Sequence, residues 1–506
     1  LSAAAEIESI SSDAGSAVKS FFAFPIFLHF LCQKGYYFGR CFAGFPSENS
    51  SRCPLLSGCK PFLTSENYQG KTLMRLSIVH EGSGNLKYEI REIVSVAREI
   101  RSLGQNITWE NIGDPIEKGE VIVPWIKEIL RDLLEQPESF GYCDTAGIPN
   151  TRAFLADTVN ARPDGVKITP EDIIFFNGIG DAVARIYGFL KREARVLGPS
   201  PAYSTHSSAE AAHSGYGPVT YDLDPQSNWM PNIEDIRNKV RYNDSIAGIL
   251  LLSPDNPTGA VYPREVLDQI VAIAKEHDLF MIADEIYTHI TYPGFPQMHM
   301  SQWIQDVPAI AMRGISKEYP WPGARCGWIE ILNRDKDANF SQYVDSLLAA
   351  KRLEVCSTTL PQMSIPRVYS DPRYKGHLAN RALMFSKRAD EAAAAFEGCD
   401  SVIVNKPGGA FYMTVMFKEK LLNNKQTLPI ENPKVKERIE ALVKNVSNDK
   451  RFVYYLMGST GIVVVPLTGF QCSHPGFRVT LLESNEEKRR WIFLTLREAI
   501  DAYIAS

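Results

Sequence analysis

The sequence predicts an α/β protein in which a large domain carries a mostly parallel sheet and a smaller α+β domain accompanies it. Three observations predict this. Apolar runs without polar alternation recur at 173–176, 249–252, 279–283 and 309–312, as expected of strands covered on both faces. Stretches with helical apolar spacing separate them, the order that builds parallel sheets. Beyond about Ile365 the texture changes to a long helical stretch followed by further strand-like runs.

Composition agrees with that class. The chain has 506 residues, 44% of them hydrophobic and 22% charged, with a net charge of −5. At about 150 residues per domain it holds two to four folding units. No Lys/Arg block stands out, so the electrostatic footprint of a nucleic-acid binder is missing. Collagen-like, disordered and polytopic membrane compositions are excluded as well. The longest apolar run, 21–32, is broken by Pro25 and His29 and falls short of the roughly 20 residues that span a bilayer.

The first 73 residues stand apart. They carry four of the nine cysteines (Cys32, Cys41, Cys53, Cys59) and no methionine, and the first methionine is Met74. Three readings stay open for this stretch: a targeting or propeptide segment, an upstream extension outside the working protein, and a small folded accessory region. The spacing of its cysteines matches no zinc pattern. The other five cysteines are scattered singly, which suits a reducing compartment. A cytoplasmic location follows, or an organellar one if 1–73 is a transit segment.

From Met74 the elements come in order. Residues 86–100 form an amphipathic helix with Ile90, Ile93, Val94, Ala97 and Ile100 on one stripe. A turn at Gly113-Asp114-Pro115 and a helix near 125–134 follow. The strand at 173–176 leads through Asn177-Gly-Ile-Gly180 into a helix at 181–191, and a strand at 195–197 runs into Gly198-Pro199-Ser200. The strand at 249–252 ends in Ser253-Pro-Asp-Asn-Pro-Thr-Gly259. Pro263 then opens a helix with a core face of Val266, Ile270, Ile273 and Ala274. Later come a helix at 379–396, strands near 401–404, 409–416, 461–465 and 477–481, and a charged, solvated insert at 418–450.

In open parallel sheets ligands bind beyond the carboxyl ends of the strands, so chemistry is sought there. Gly178-Ile-Gly180 would suit a dinucleotide fold, which wants an acid about 20 positions on, after the next strand. That strand runs into Gly198-Pro199-Ser200, and Glu193 precedes it. Asp284-Glu-Ile-Tyr287 places an acid at a buried strand end, which is costly without a cationic partner. The strand at 309–312 leads to Gly314-Ile-Ser-Lys317-Glu-Tyr-Pro-Trp-Pro-Gly-Ala-Arg325-Cys-Gly327. Pro475-Gly-Phe-Arg478 completes the set.

In this order the motifs resemble the aspartate-aminotransferase-like, class I and II pyridoxal-phosphate enzymes of fold type I, over about residues 86–500. The resemblance implies a seven-stranded sheet in a large domain at 118–360 and a small domain made of 74–117 and 361–506. It implies pyridoxal 5'-phosphate as cofactor, no metal, and an amino acid and a 2-oxo acid as substrates. It also implies ping-pong transfer in which Lys317 holds the cofactor as an aldimine and shuttles the proton. Asp284 would meet the pyridine nitrogen, with Tyr287 and Asn256 at the ring's phenolic oxygen and Tyr203 stacked on the ring. Ile179, Gly180 and Asp181 would bind the phosphate through backbone N–H groups, with Arg325 and Ser316 beside them. Tyr142 would reach the phosphate of a second subunit, which implies a homodimer. Arg478, with Gly113 and Asn256, would bind the substrate carboxylate.

Two departures from the family pattern bear on this. Gly314 stands where many relatives have a phosphate-binding serine, leaving Ser316 as the nearby hydroxyl. No motif marks an arginine for a dicarboxylate side chain, although Arg352 and Arg367 fall in the right stretch. A carbon–sulfur lyase or aspartate β-decarboxylase would share every cofactor residue. An amino-acid-sensing transcription regulator would need a helix-turn-helix module, and 1–73 shows neither its basic character nor its two-helix pattern.

Overall fold

The computed structural model describes residues 78–86 and 89–506, so the predicted segment at 1–73, its apolar run and its four cysteines lie outside the described residues. Residues 78–506 form one compact unit. The strands are β1 (Thr108–Trp109), β2 (Ile173–Phe176), β3 (Arg195–Ser200), β4 (Thr220–Asp224), β5 (Met230–Pro231), β6 (Ile246–Leu252), β7 (Phe280–Asp284), β8 (Ala309–Gly314), β9 (Gly327–Leu332), β10 (Val402–Val404), β11 (Tyr412–Phe417), β12 (Ile462–Val463), β13 (Val465–Pro466) and β14 (Gly476–Thr480). The helices used below are α1 (Glu89–Ser102), α2 (Pro124–Leu134), α3 (Ile179–Gly188), α4 (Ser204–Ser214), α5 (Arg264–Glu276), α6 (Ala338–Glu354), α7 (Thr359–Tyr369), α8 (Arg373–Ala394), α9 (Pro433–Leu442) and α10 (Asn448–Thr460).

One sheet runs in the order β2-β9-β8-β7-β6-β3-β4-β5. Its central ladders β8/β7, β7/β6, β6/β3 and β3/β4 are parallel, and β9 is antiparallel to both β8 and β2. Seven strands match the expectation. The eighth, β5, is a two-residue antiparallel return at the edge beside β4, where Pro231 has no N–H to pass a ladder onward.

Alternate residues explain the unbroken apolar runs. Ile249, Leu251, Met281, Ala283, Ala309 and Ala311 belong to one buried cluster, shared with Leu267 and Ile270 of α5. Leu250, Leu252, Ile282, Ile310 and Met312 enter the opposite cluster, beneath Val183 of α3 and Leu347 of α6. Side chains of a strand alternate between faces, so a sheet covered on both faces needs apolar residues at every position.

A second sheet, β10-β11-β14-β13, is antiparallel throughout and sits over its own core. The strand β1 pairs in parallel with β12. Helix α1 buries Ile90, Ile93, Val94, Ala97 and Ile100, the stripe read from the sequence. In α5 Val266 is only partly buried, and Leu267 and Val271 join the core face.

The stretch at 418–450 differs from expectation. It forms α9 and the start of α10, and Leu428, Val435, Ile439 and Val443 are buried in the second core. Val435, Ile439 and Val443 follow at spacings of four, so a narrow apolar stripe runs among the charges. Among the described residues no helix is long and apolar enough to cross a membrane.

Ile439→Ala tests that packing. Ile439 is fully buried, and emptying its place should destabilise the protein by about 2–5 kcal/mol, read as a lower urea midpoint. An unchanged midpoint contradicts the packing.

Candidate active site

Strands β2, β3, β6, β7 and β8 share one direction, so the turns after them emerge at one edge of the sheet. A cavity of about 430 Å³ opens there, floored by strand ends and walled by α1 and the second sheet. Its lining brings together Lys317, Ser316, Asp284, Tyr287, Asn256, Tyr203, Ile179, Gly180, Arg325, Gly113 and Arg478. These come from eight separate stretches of the sequence.

Register places the two ends of the strongest motif. Gly327 of β9 is the partner of both Phe176 in β2 and Gly314 in β8. The segment entering β9 therefore carries Arg325 between the turn at Asn177 and the short helical turn that bears Lys317. Arg325 sits at φ 48° and donates to the carbonyls of Asn177 (3.3 Å) and Pro322 (3.2 Å). Gly178, at φ 84°, lies under the guanidinium, and a Cβ there would come 2.6 Å from Nη2. The positive φ favours glycine at that point, and a side chain there would push the Arg325 guanidinium aside.

The turn that opens α3 reaches the cavity only in part. Ile179 and Gly180 line the cavity, but Asp181 does not. Its N–H donates to the Gly178 carbonyl at 3.1 Å, and its carboxylate accepts the Asn177 N–H at 3.1 Å. Asp181 is thus committed to closing the turn. Tyr142 is also outside the cavity, with its side chain 88% exposed.

Lys317 Nζ donates to the Gly113 carbonyl at 2.7 Å and lies 5.6 Å from the Phe411 ring centroid. Loss of hydration lowers the pKa of this amine to about 8; Asp114 opposes the shift, and Arg381, Arg478 and Arg325 reinforce it. Asp284, 4% exposed, has its Oδ1 bonded by the Ile286 N–H at 3.1 Å and its Oδ2 3.1 Å from His206 Nε2.

Arg478 is 1% exposed. Its Nη1 donates to Asn256 Oδ1 at 3.0 Å and its Nη2 to the Asn111 carbonyl. The guanidinium also lies 4.4 Å from the Tyr412 ring centroid. Among the described residues no carboxylate pairs with Arg478 or Arg325. The side-chain amide of Asn111, fully buried at the cavity wall, and Arg478 Nε have no hydrogen-bond partner. Arg325 is exposed, but the buried Arg478 and Asn111 call for an anionic, polar ligand. Asn256 is held in place by a turn in which Asp255 accepts from the Thr258 N–H (3.1 Å) and hydroxyl (2.6 Å).

Several residues of the site carry no sequence motif. His206, on α4, backs Asp284. Tyr412, on β11, bonds Tyr287 through the two hydroxyls at 3.0 Å, and burial together with Tyr412 raises the Tyr287 phenol well above its usual range. Arg381, on α8, donates to the carbonyls of Lys317 and Glu318 and pairs with Glu120. Arg91 and Arg98, two helical turns apart on α1, line the cavity as well. Only a spacing of seven on a helix links those two in the sequence. Arg352 and Arg367 are not in the lining.

An amine and an acid at neighbouring strand ends, with two arginines lacking carboxylate partners, define an aminotransferase-type α/β enzyme. The chain belongs to the aminotransferase class I and II family, whose model matches residues 111–491. It is 55% identical over 431 residues to an uncharacterized aminotransferase of Methanocaldococcus jannaschii, covering 85% of this chain and 100% of that protein. It is 29% identical over 407 residues to the glutamate-pyruvate aminotransferase AlaA of Escherichia coli K12, covering 79% of this chain and 92% of that one. An alanine aminotransferase structure from Pyrococcus furiosus superimposes with a TM-score of 0.70 at 26% identity, over 85% of this chain and 99% of that one. Among the described residues no group of three or more His, Cys, Asp or Glu is placed to hold a metal ion.

Gly113→Ala tests the wall of the site. A Cβ there would lie 1.9 Å from Tyr412 Oη, so the ring must leave Arg478 and Tyr287. Aminotransferase kcat/KM should fall about 10- to 100-fold, with a melting temperature close to wild type. Unchanged kcat/KM contradicts the tight approach.

Proposed function

We propose that this chain is a pyridoxal 5'-phosphate-dependent aminotransferase that moves an amino group between an L-amino acid and a 2-oxo acid by a ping-pong route. The observation that carries the reading is the convergence of Lys317, Asp284, Arg325 and Arg478 on one cavity. The residues present fit the cofactor. Arg325 and the N–H groups of Ile179 and Gly180, at a helix start held open by Gly178, suit its phosphate. Asp284, oriented by His206, suits the ring nitrogen. Tyr203 suits the ring face, and Asn256 with Tyr287 suits the phenolic oxygen.

When bound, the cofactor supplies an electrophilic carbonyl and an electron sink; the protein supplies orientation and proton transfer. Arg478 holds the substrate carboxylate through the fork that Asn256 and Asn111 keep in plane, beside Gly113. With the carboxylate fixed, the Cα–H bond faces Lys317. Lys317 Nζ takes that proton and later returns one, and an amine with a pKa near 8 suits both tasks near neutral pH.

The glutamate-pyruvate and alanine aminotransferases among the relatives support glutamate, alanine and pyruvate as substrates, and give no support to the lyase or decarboxylase alternative. Arg91 and Arg98 suit the second carboxylate of glutamate or 2-oxoglutarate, since neither has an ion-pair partner among the described residues. A homodimer in which Tyr142 reaches the partner's phosphate fits its exposure and that of nearby Phe140, 76% exposed. The separate large and small domains proposed from the sequence fit the two sheets with their own cores.

Initial rates at varied donor and acceptor test the reading. Parallel double-reciprocal lines are expected; intersecting lines contradict it. Lys317→Ala should bind the cofactor yet lose turnover by about 100- to 10,000-fold or more, and normal turnover sinks the role of the amine. The rate at which the cofactor-free protein captures pyridoxal 5'-phosphate should rise with pH through about 8, because only the unprotonated amine attacks. A midpoint near 10.5, the ordinary lysine value, contradicts the lowered pKa. Replacing Arg91 and Arg98 together by Met should raise KM for glutamate about 10- to 100-fold and spare alanine; equal effects on both contradict the distal-carboxylate role.

A further inference from the structure

Behind the cavity floor lies a buried ionic cluster that no step above uses. At its centre is Arg313, the penultimate residue of β8, with a side chain 3% exposed. Its Nη1 is 3.2 Å from Glu285 Oε2, its Nη2 is 3.3 Å from Glu318 Oε1, and its Nε is 3.7 Å from Glu330 Oε1. Glu285 directly follows Asp284, and Glu318 directly follows Lys317. Asp284 and Lys317 line the cavity, whereas Glu285 and Glu318 do not. Each acid is therefore the backward-facing neighbour of a cavity residue, and one guanidinium grips both.

We propose that Arg313 is a positioning residue for the aminotransferase reaction, fixing the spacing of Asp284 and Lys317 by holding the two acids that follow them. The proposal rests on the functional reading above. The rest of the cluster makes the grip rigid. Glu285 also accepts the Met300 N–H, and Glu318 accepts the hydroxyls of Tyr374 (2.8 Å) and Tyr369. Glu330 accepts from Trp328 Nε1 at 3.1 Å and pairs with Arg162 at 3.6 Å. Arg313 donates to His299 Nδ1 at 2.7 Å and His289 Nε2 at 2.9 Å; burial lowers the pKa of both rings, so they accept as neutral groups. Arg381 grips the same turn from the other side, through the carbonyls of Lys317 and Glu318.

Stability alone gives a poor account of the cluster. A buried ion network is often matched or bettered by apolar residues of similar volume. Holding an amine and an acid at a set distance across two strand ends is work that apolar packing does less exactingly, because charged hydrogen bonds are directional. A misplacement of about 1 Å costs on the order of 100-fold in rate.

The test compares Arg313→Gln and Arg313→Lys with Tyr369→Phe, which takes one hydroxyl from Glu318, and with Ile439→Ala, which loosens the core between α9 and α10. Each is read by melting temperature, by the affinity of the cofactor-free protein for pyridoxal 5'-phosphate, by visible circular dichroism of the loaded protein, and by kcat and KM. Arg313→Gln should lower kcat about 100-fold and alter the visible dichroism, with KM within about twofold of wild type and Arg313→Lys in between. Ile439→Ala should lower the melting temperature but leave kcat and the dichroism at wild-type values. Folded Arg313→Gln protein with wild-type kcat and dichroism overturns the proposal. So does Ile439→Ala protein that reproduces its losses at a matched fall in melting temperature. If neither Arg313 variant folds, Tyr369→Phe decides: a fall of about 3- to 10-fold in kcat supports the proposal, and wild-type kcat and dichroism overturn it. Wild-type protein that gives no visible band with the cofactor overturns the functional reading and this proposal together; a normal wild-type band with unaffected variants overturns this proposal alone.

Discussion

Asp284 and Lys317 stand at the ends of neighbouring strands inside a sheet covered on both faces, where water is largely excluded. A carboxylate or an ammonium taken from water into such a place costs several kcal/mol unless something compensates. The protein compensates locally: the Ile286 N–H and His206 at the acid, and the Gly113 carbonyl and the Asp114 charge at the amine. Both line one cavity, and to act on one ligand they must be held at a set separation.

The sheet supplies that separation. Residues Asp284 and Met312 are ladder partners, and the chain beyond Met312 must turn through Gly314 before Lys317 returns toward the cavity. Two arginines pin this turn, Arg313 through side chains and Arg381 through carbonyls. On the far wall Arg478 is held by Asn256 and Asn111, which belong to a strand-end turn and to the segment after β1. On the proposed function, substrate and cofactor would therefore meet donors already aimed, with little reorganisation left for the reaction itself.

Much of this was legible in the sequence because it lies on short local patterns. Strand-like apolar runs ending in Asn177-Gly-Ile-Gly180, Asn256-Pro-Thr-Gly259, Asp284-x-x-Tyr287 and Lys317 place chemistry at one sheet edge once the strands are known to be parallel. The stripe of α1 was equally plain. Contacts formed only in three dimensions left no such pattern. His206 is 78 residues from Asp284, and Tyr412 is 125 from Tyr287. The Asn111 carbonyl is 367 residues from Arg478. Arg91 and Arg98 look like solvated charges on an amphipathic helix until that helix is seen to wall the cavity. Asp181 shows the converse: its position matches a phosphate cup in the sequence, whereas in the fold its N–H bonds the Gly178 carbonyl and it lies outside the cavity lining. The charged stretch at 418–450 hid four residues of the second core among its lysines and glutamates, since the stripe that three of them form is too narrow to alter local composition.

The most direct test of the account is the visible absorption spectrum of the cofactor-loaded protein, recorded before and after adding L-glutamate or L-alanine with no oxo acid present. The account predicts that the band of the carbonyl form converts to that of the amine form, with one 2-oxo acid released per bound cofactor and the change stopping there. A band that persists while ammonia, pyruvate or carbon dioxide accumulates would contradict it.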